Sequence, residues 1–469
     1  MLGMTLCASY VIAFFGMSLL VDGYAGDGTG SSVSEGSTTT TTTTTTTAPT
    51  WSLHLQSIVA VGGAIVGGIG SSVLWVSQGT YFARASQVYT LEVMKQQYYH
   101  EQQLLLRDGD GEGVVRGDGG DDGEIAFTTS TSSTAEDVTG KFGGNFAFVF
   151  LSFEVVLRLL STFLIHTAGL SWKVIFGLYS LLSILPVCFM MGVLDLESCR
   201  EGMSYDNTTR VVVEEKQNEE EVEDTTNVRS SSHKATATLD LLRYDPKARC
   251  LAPLSVLFGI STSFCSSVIN GEVIQKVLSD PNSTYVGLYT AVTSLVAALA
   301  SFVFGRLQSS SSRSGGHIRC GKVVVLTIGA LSYLMIAIQF LAFPGGKHWN
   351  RTTLLFLYIL LGVGRATYEG TLRAVYADYF PDNKEGAFGN IVLWSGSAST
   401  VGYVLSVTGV LRCGTVGTYC LEYTDGSIHN VLVMEVVIIV LAMMAIPAFW
   451  RANWMFRKDR VEGSNYLRT

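Results

Sequence analysis

Charged residues are scarce in this chain. They fill 15% of its 469 positions while hydrophobic residues fill 48%, and the mean hydropathy is +0.33. Soluble domains carry roughly 25% charge, so the composition argues against a water-soluble globule. Metal-binding patterns are also lacking: the seven His are scattered, and no Cys/His cluster has ligand spacing. Neither a Ser-His-Asp arrangement, nor a phosphate loop, nor a pair of catalytic carboxylates can be read from the chain. The expectation is a protein that is not an enzyme and that uses no metal and no cofactor.

What the chain does have is long apolar runs. About 20 apolar residues cross a bilayer, and ten candidate spans run approximately 1–20, 55–83, 144–166, 172–194, 250–278, 284–307, 322–343, 352–376, 386–411 and 430–450. The fold class expected is an all-α, polytopic membrane protein. The net charge of −8 is concentrated in two stretches, "RDGDGEGVVRGDGGDDGE" (107–124) and "EEKQNEEEVED" (214–224), which are too polar to bury a core. They read as an acidic inner loop over 84–142 and an acidic cytoplasmic linker over 195–249.

Lys and Arg collect on cytoplasmic loops. With the N-terminus inside, the inner loops and the tail from Arg451 hold 24 of them and the outer face 5, leaving Arg158 and Arg365 within spans. Both termini are therefore expected in the cytoplasm. The sequons at Asn282 and Asn350 fall outside, as glycosylation acceptors must; a third at Asn207 falls inside and reads as a chance match. Cys413 and Cys420 share one outer loop, where either a disulfide or two free thiols would fit. Residues 1–25 read either as a span or as a signal peptide. The Thr-rich segment 26–50 lies outside on both readings, as a glycosylated stalk or a product of repeat slippage. The C-terminal "SNYLRT" is neither a retention nor a peroxisomal signal, so plasma membrane and endomembrane are not distinguished.

Charges inside spans are costly. In "GRATYEGTLRAVY" (364–376), Arg365, Glu369 and Arg373 recur every four residues. Arg365 falls deep in the span, with Glu369 able to pair with Arg365 one turn back and with Arg373 one turn on, while Arg373 falls at the cytoplasmic boundary. Glu154 and Arg158 form a second four-spaced pair in "FLSFEVVLRLLS". The run "GISTSFCSSVINGEVIQ" (259–275) is too polar to face lipid. It offers Ser263, Ser267, Asn270 and Glu272 as cavity-lining candidates, with Gly271 permitting a break; the alternative is that its hydroxyls bond their own backbone.

Three stretches carry a family resemblance. "LWVSQGTY" supplies Trp75, Gln78, Gly79, Thr80 and Tyr81. "VGLYTAVTSLVAALASFVFGRL" supplies Gly287, Ser301, Gly305 and Arg306. "FPDNKEGAFGNIVLW" supplies Glu385, Ala387, Phe388, Leu393 and Trp394. In this order and at these span boundaries they resemble the Unc-ninety-three-like proteins of the major facilitator superfamily.

The resemblance implies two six-helix bundles around a pseudo-twofold axis. Residues 51–194 would then complete the N-terminal bundle begun by 1–50, and 250–450 would form the C-terminal one, followed by a tail at 451–469. That family has twelve helices, so this chain starts at the equivalent of the third, through a truncated gene model or a domain that is itself incomplete. Glu154/Arg158 and Arg365/Glu369 would fall on helices five and ten, as an interbundle ion-pair cluster that opens and closes or as a static pair joining two helices. The family takes its name from a potassium-channel regulator. It implies an accessory protein of ion homeostasis, with a lipid bilayer and another membrane protein, a channel or receptor, as partners and no nucleic acid. The alternative is a secondary transporter of an ion or small solute.

Overall fold

The computed structural model describes residues 68–90, 122–167, 231–279, 285–310, 321–343, 349–407 and 432–466, with isolated positions at 92–99 and 169–181. Every long described element is a helix: α1 (68–90), α2 (Asp122–His166), α3 (Ser231–Tyr244), α4 (Pro246–Phe264), α5 (Ile274–Leu278), α6 (Val286–Ser310), α7 (Lys322–Ala342), α8 (Arg351–Ala366), α9 (Arg373–Tyr379), α10 (Lys384–Val407) and α11 (Leu432–Tyr466). Two π-helical stretches join them without interruption: Cys265–Val273 links α4 to α5, and Thr367–Leu372 links α8 to α9. Among the described residues, five helical segments are long and apolar enough to cross a membrane: Val138–Leu164, Pro246–Gly271, Val286–Gln308, Lys322–Ala342 and Leu432–Glu462. The protein is an all-α polytopic membrane protein.

α7 shows why the sequence takes this form. Its 21 residues rise about 1.5 Å each, enough to cross a hydrocarbon layer of about 30 Å. Leu326, Gly329, Ala330, Tyr333, Ile336, Ala337 and Phe340 are buried at helical spacing. The opposite face exposes Val324, Ile328, Leu331, Met335, Ile338 and Leu341. An apolar face left uncovered along a whole helix fits lipid, not water.

The chain clusters into two compact units, Met1–Trp75 with Ser161–Asp195, and Val76–Leu160 with Leu196–Thr469. In the first, the described residues are 68–75 and positions between 161 and 181. In the second, α4 packs on α10 and α11, α6 on α8, and α7 on α8 and α11. Caps fix two starts: Asp245 accepts from the Lys247 amide at 2.8 Å ahead of Pro246, and Asn350 opens α8 with a capping box shared with Thr353.

Several expected boundaries are corrected. Residues 84–90 and 122–142 are helical, so the loop expected over 84–142 is shorter; its flanks carry helices on past the apolar layer. The expected linker 195–249 contains α3, which docks on α10 where the Asn390 amide donates to the Thr238 carbonyl at 3.0 Å. The expected tail from Arg451 is helical to Tyr466 as a continuation of α11, and its Asp459 meets Lys247 at 2.9 Å. Gly271 does not break its helix; the π-helical turn absorbs the irregularity and keeps the backbone bonded. The expected spans at 352–376 and 386–411 are helical over Arg351–Tyr379 and Lys384–Val407, while those at 1–20 and most of 172–194 lie outside the described residues.

Close packing of α4 on α10 has a testable consequence. A Cβ on Gly259 would lie 2.3 Å from the Ser395 carbonyl oxygen and 2.8 Å from the Ala398 Cβ, whereas one on Gly396 would meet nothing within 4 Å. Gly259→Ala is expected to cost about 1–3 kcal/mol and to lower the melting temperature in detergent, with Gly396→Ala neutral or slightly stabilising. Equal melting of the two variants would contradict this packing.

Candidate intramembrane charge clamp

The site begins with close approach of backbones. On α2, a Cβ at Gly144 would fall 2.6 Å from the Ser301 carbonyl oxygen and 2.7 Å from the Gly305 Cα of α6; one at Gly305 would fall 2.9 Å from the Gly144 Cα. Small residues permit such helix contacts in membranes. A Cβ at Gly143 would likewise lie 3.0 Å from the Gly370 carbonyl oxygen, and one at Gly370 would lie 3.6 Å from the Ala147 Cβ, in the π-helical turn after α8. α8 is itself drawn onto its neighbours, because Gly362 abuts Val296 and the Thr293 carbonyl of α6 and Gly364 abuts the Tyr333 ring of α7.

These contacts bring Glu154 and Arg365, far apart in sequence, face to face. Arg365 Nη1 donates to Glu154 Oε1 at 2.9 Å and Nη2 to Oε2 at 2.6 Å, the two-pronged geometry in which a guanidinium binds a carboxylate most strongly. Arg158 Nε adds a bond to Oε1 at 2.8 Å, and the Ser294 hydroxyl donates to the same oxygen at 3.2 Å. The Arg365 and Glu154 side chains are 22% and 19% exposed, so the pair is largely withdrawn from solvent. Two guanidiniums share one carboxylate, which leaves one positive charge on the cluster.

Glu369 does not bridge Arg365 and Arg373 as the four-residue spacing predicts. Arg365 is taken by Glu154, and Glu369 Oε2 pairs with Arg373 Nη2 at 2.5 Å, both side chains about nine-tenths buried. The contact is an ion pair off the hydrogen-bonding axis, since Oε2 has no donor aligned with it. Arg373, expected at the cytoplasmic boundary, is buried. The reason is the π-helical turn, which breaks α-helical spacing between Arg365 and Glu369 and turns both members of the second pair into the protein.

The polar run across the end of α4 and the π-helical stretch after it divides among several contacts. Ser263 donates to the Ile260 carbonyl at 2.8 Å and Ser267 to the Ser263 carbonyl at 2.6 Å, with Ser267 Oγ also 2.9 Å from Ser406 Oγ. Asn270 accepts a short hydrogen bond from the Tyr358 hydroxyl. Hydroxyls spent on their own backbone match the packing alternative. Glu272 is in the π-helical stretch, and its side chain lies outside the described residues.

Among the family-motif residues, Gly79 meets Phe388: a Cβ there would sit 2.2 Å from the ring, so the first and third motifs are in contact. Gly305 forms the α2 crossing above, and the Arg306 guanidinium lies 3.9 Å from the Phe302 ring centroid. Trp75, Gln78, Glu385 and Trp394 are half-buried and Tyr81 is exposed. Asn350 is exposed at its cap; Asn282, Cys413 and Cys420 lie outside the described residues.

Sequence reasoning missed Ser294, Gly143, Gly144, Gln308 and Glu435. Gly140 and Gly144, four apart in "GKFGGNF", carried the small-residue signal of a helix contact. Gln308 carried none, yet it is buried, with Nε2 donating to Thr371 at 2.9 Å. Glu435 is the lone acid of "LVMEVVIIVLAMM" and is 5% exposed, a signal that was legible.

Because Gly144 and Gly305 meet at one crossing, their substitutions are expected to be sub-additive. Gly144→Ala and Gly305→Ala should each lower the melting temperature, and the double variant should lose less than both together, since one separation of α2 from α6 relieves both clashes. Full additivity would show that the two glycines do not share a contact.

No protein-family profile matches the chain. Curated proteins do. The chain is 28% identical over 175 residues to "Protein unc-93 homolog A" of Danio rerio, covering 36% of this chain and 34% of that protein. It is 25% identical over 201 residues to "Protein unc-93 homolog A" of Bos taurus, covering 40% and 41%. The chain thus spans well under half the length of the curated relatives it matches. With its apolar helices, the two matches support an UNC-93-like family for this membrane protein.

Proposed function

We propose that this chain is a non-catalytic accessory protein of the membrane that regulates or assembles with another membrane protein, of the ion-channel-regulating kind that its resemblance implies. The observation that carries this reading is the Glu154–Arg365 clamp. A forked ion pair, reinforced by Arg158 and Ser294 and flanked by glycines where the helices leave no room for a Cβ, is suited to holding α2 against α6 and α8. The same reading takes the fold as major-facilitator-like, both termini as cytoplasmic and the partner as a channel or receptor.

A secondary transporter is the second reading, and one observation favours it. Glu369 and Arg373 are buried together, and the Gln308 Oε1 is buried without a hydrogen-bond partner among the described residues. Buried polar groups of this kind mark solute paths in membrane proteins.

Purification of the tagged protein from its native membranes in mild detergent, with mass spectrometry of what accompanies it, separates the two. A stoichiometric membrane protein is the expected result, with Glu369→Gln altering its recovery and not ion flux. A protein recovered alone, with flux abolished by Glu369→Gln at normal expression, would reverse the assignment in favour of transport.

A further inference from the structure

At one end of the second unit a groove of about 750 Å³ opens between the end of α3, the turn into α4 and the last turns of α11. Its level relative to the bilayer follows from α11. The apolar run from Leu432 ends at Trp450–Arg451, about the length that fills a hydrocarbon layer. Trp450 and Trp454, one turn apart, are 56% and 63% exposed, and exposed Trp belongs at the membrane–water boundary. The groove, lined by Trp454, Lys458 and Asp459, therefore lies at headgroup depth. An exposed apolar stripe, Val440, Met443 and Met444, runs down the same helix towards the hydrocarbon.

The charges are layered. Inside, three carboxylates (Asp240, Asp245, Asp459) face two lysines. Lys247 Nζ is held by Asp459 at 2.9 Å and Asp245 at 3.7 Å, and Lys458 Nζ reaches Glu462 at 3.5 Å. Asp240 makes no hydrogen bond or ion pair with any described residue, so the interior has an acid to spare. Aromatic walls adjoin it: Tyr244 is 73% exposed with the Arg243 guanidinium 5.6 Å from its ring centroid, and Lys458 Nζ lies 5.9 Å from that of Trp454, so both rings attract cations. Around the rim the sign reverses: exposed Arg243 and Arg457 adjoin the lining residues Tyr244 and Lys458 in sequence. An acidic, aromatic interior within a basic rim complements a ligand whose ammonium and phosphate lie a few bonds apart.

We infer that this groove binds the headgroup of a zwitterionic phospholipid, ammonium against Asp240 and Trp454, phosphate towards the rim arginines, and acyl chains along the α11 stripe. A purely anionic lipid would meet the rim but oppose the interior.

The test is native mass spectrometry of the full chain in mild detergent, with phosphatidylethanolamine or phosphatidylglycerol of matched chains added. Preferential retention of phosphatidylethanolamine is expected, reduced about fivefold by Asp240→Asn and by Trp454→Ala, with phosphatidylglycerol unchanged. Trp454 is exposed, so its replacement leaves the packing intact. Retention of phosphatidylglycerol equal to or above that of phosphatidylethanolamine, a preference untouched by both substitutions, or an equal loss of both lipids would overturn the inference.

Discussion

The packing of α2 on the helices that follow it turns on a charge that cannot be left alone in hydrocarbon. Arg365 is withdrawn from solvent, and Glu154 answers it with both carboxylate oxygens. An unpaired buried charge costs several kcal/mol, whereas a forked, hydrogen-bonded pair recovers much of that penalty. α2 must therefore lie where Glu154 can reach α8. Ser294 and Arg158 both add hydrogen bonds to its Oε1, which narrows the rotations open to α2.

That requirement explains the distribution of small residues. Along α2, Gly144 lies ten residues, about 15 Å, from Glu154, and along α6 Gly305 and Ser294 are separated by nearly the same length. The two helices thus run alongside each other from the Gly144–Gly305 crossing to the Glu154–Ser294 hydrogen bond. A bulkier residue at the crossing would tilt α2 and lengthen the ion pair. The π-helical turn at Thr367–Leu372 serves the same contact, because it presents Gly370 to Gly143 and Ala147 while turning Glu369 and Arg373 into the protein. Irregular helical turns often occur where helices must present special groups; the second one, at Cys265–Val273, presents Asn270 to Tyr358.

Much of this was legible in the sequence and some was not. Hydropathy identifies α6, α7 and the apolar part of α11 because lipid imposes a length and a composition on each helix separately. Spacing also marks Glu154, Arg158, Arg365 and Glu369 as unusual. It does not reveal who pairs with whom: Arg365 and Glu154 are 211 residues apart, and a local rule assigns Arg365 to Glu369 because it sees only one helix. The burial of Arg373 escaped for a related reason, since a residue near a span's end is assumed to reach water unless another helix covers it. Helical extensions beyond the membrane, such as α3 and the end of α11, have no hydropathy signal and depend on contacts such as Asn390 with Thr238 and Asp459 with Lys247.

The account stands or falls on the coupling between Glu154 and Arg365. A double-mutant cycle with Glu154→Gln, Arg365→Gln and the double variant, read by unfolding in detergent, measures it directly. The account predicts single losses of about 3–5 kcal/mol and a double variant much nearer the wild type than their sum, giving a coupling energy above about 1 kcal/mol. Additive losses, with no coupling, would show that the two charges do not hold α2 against α8.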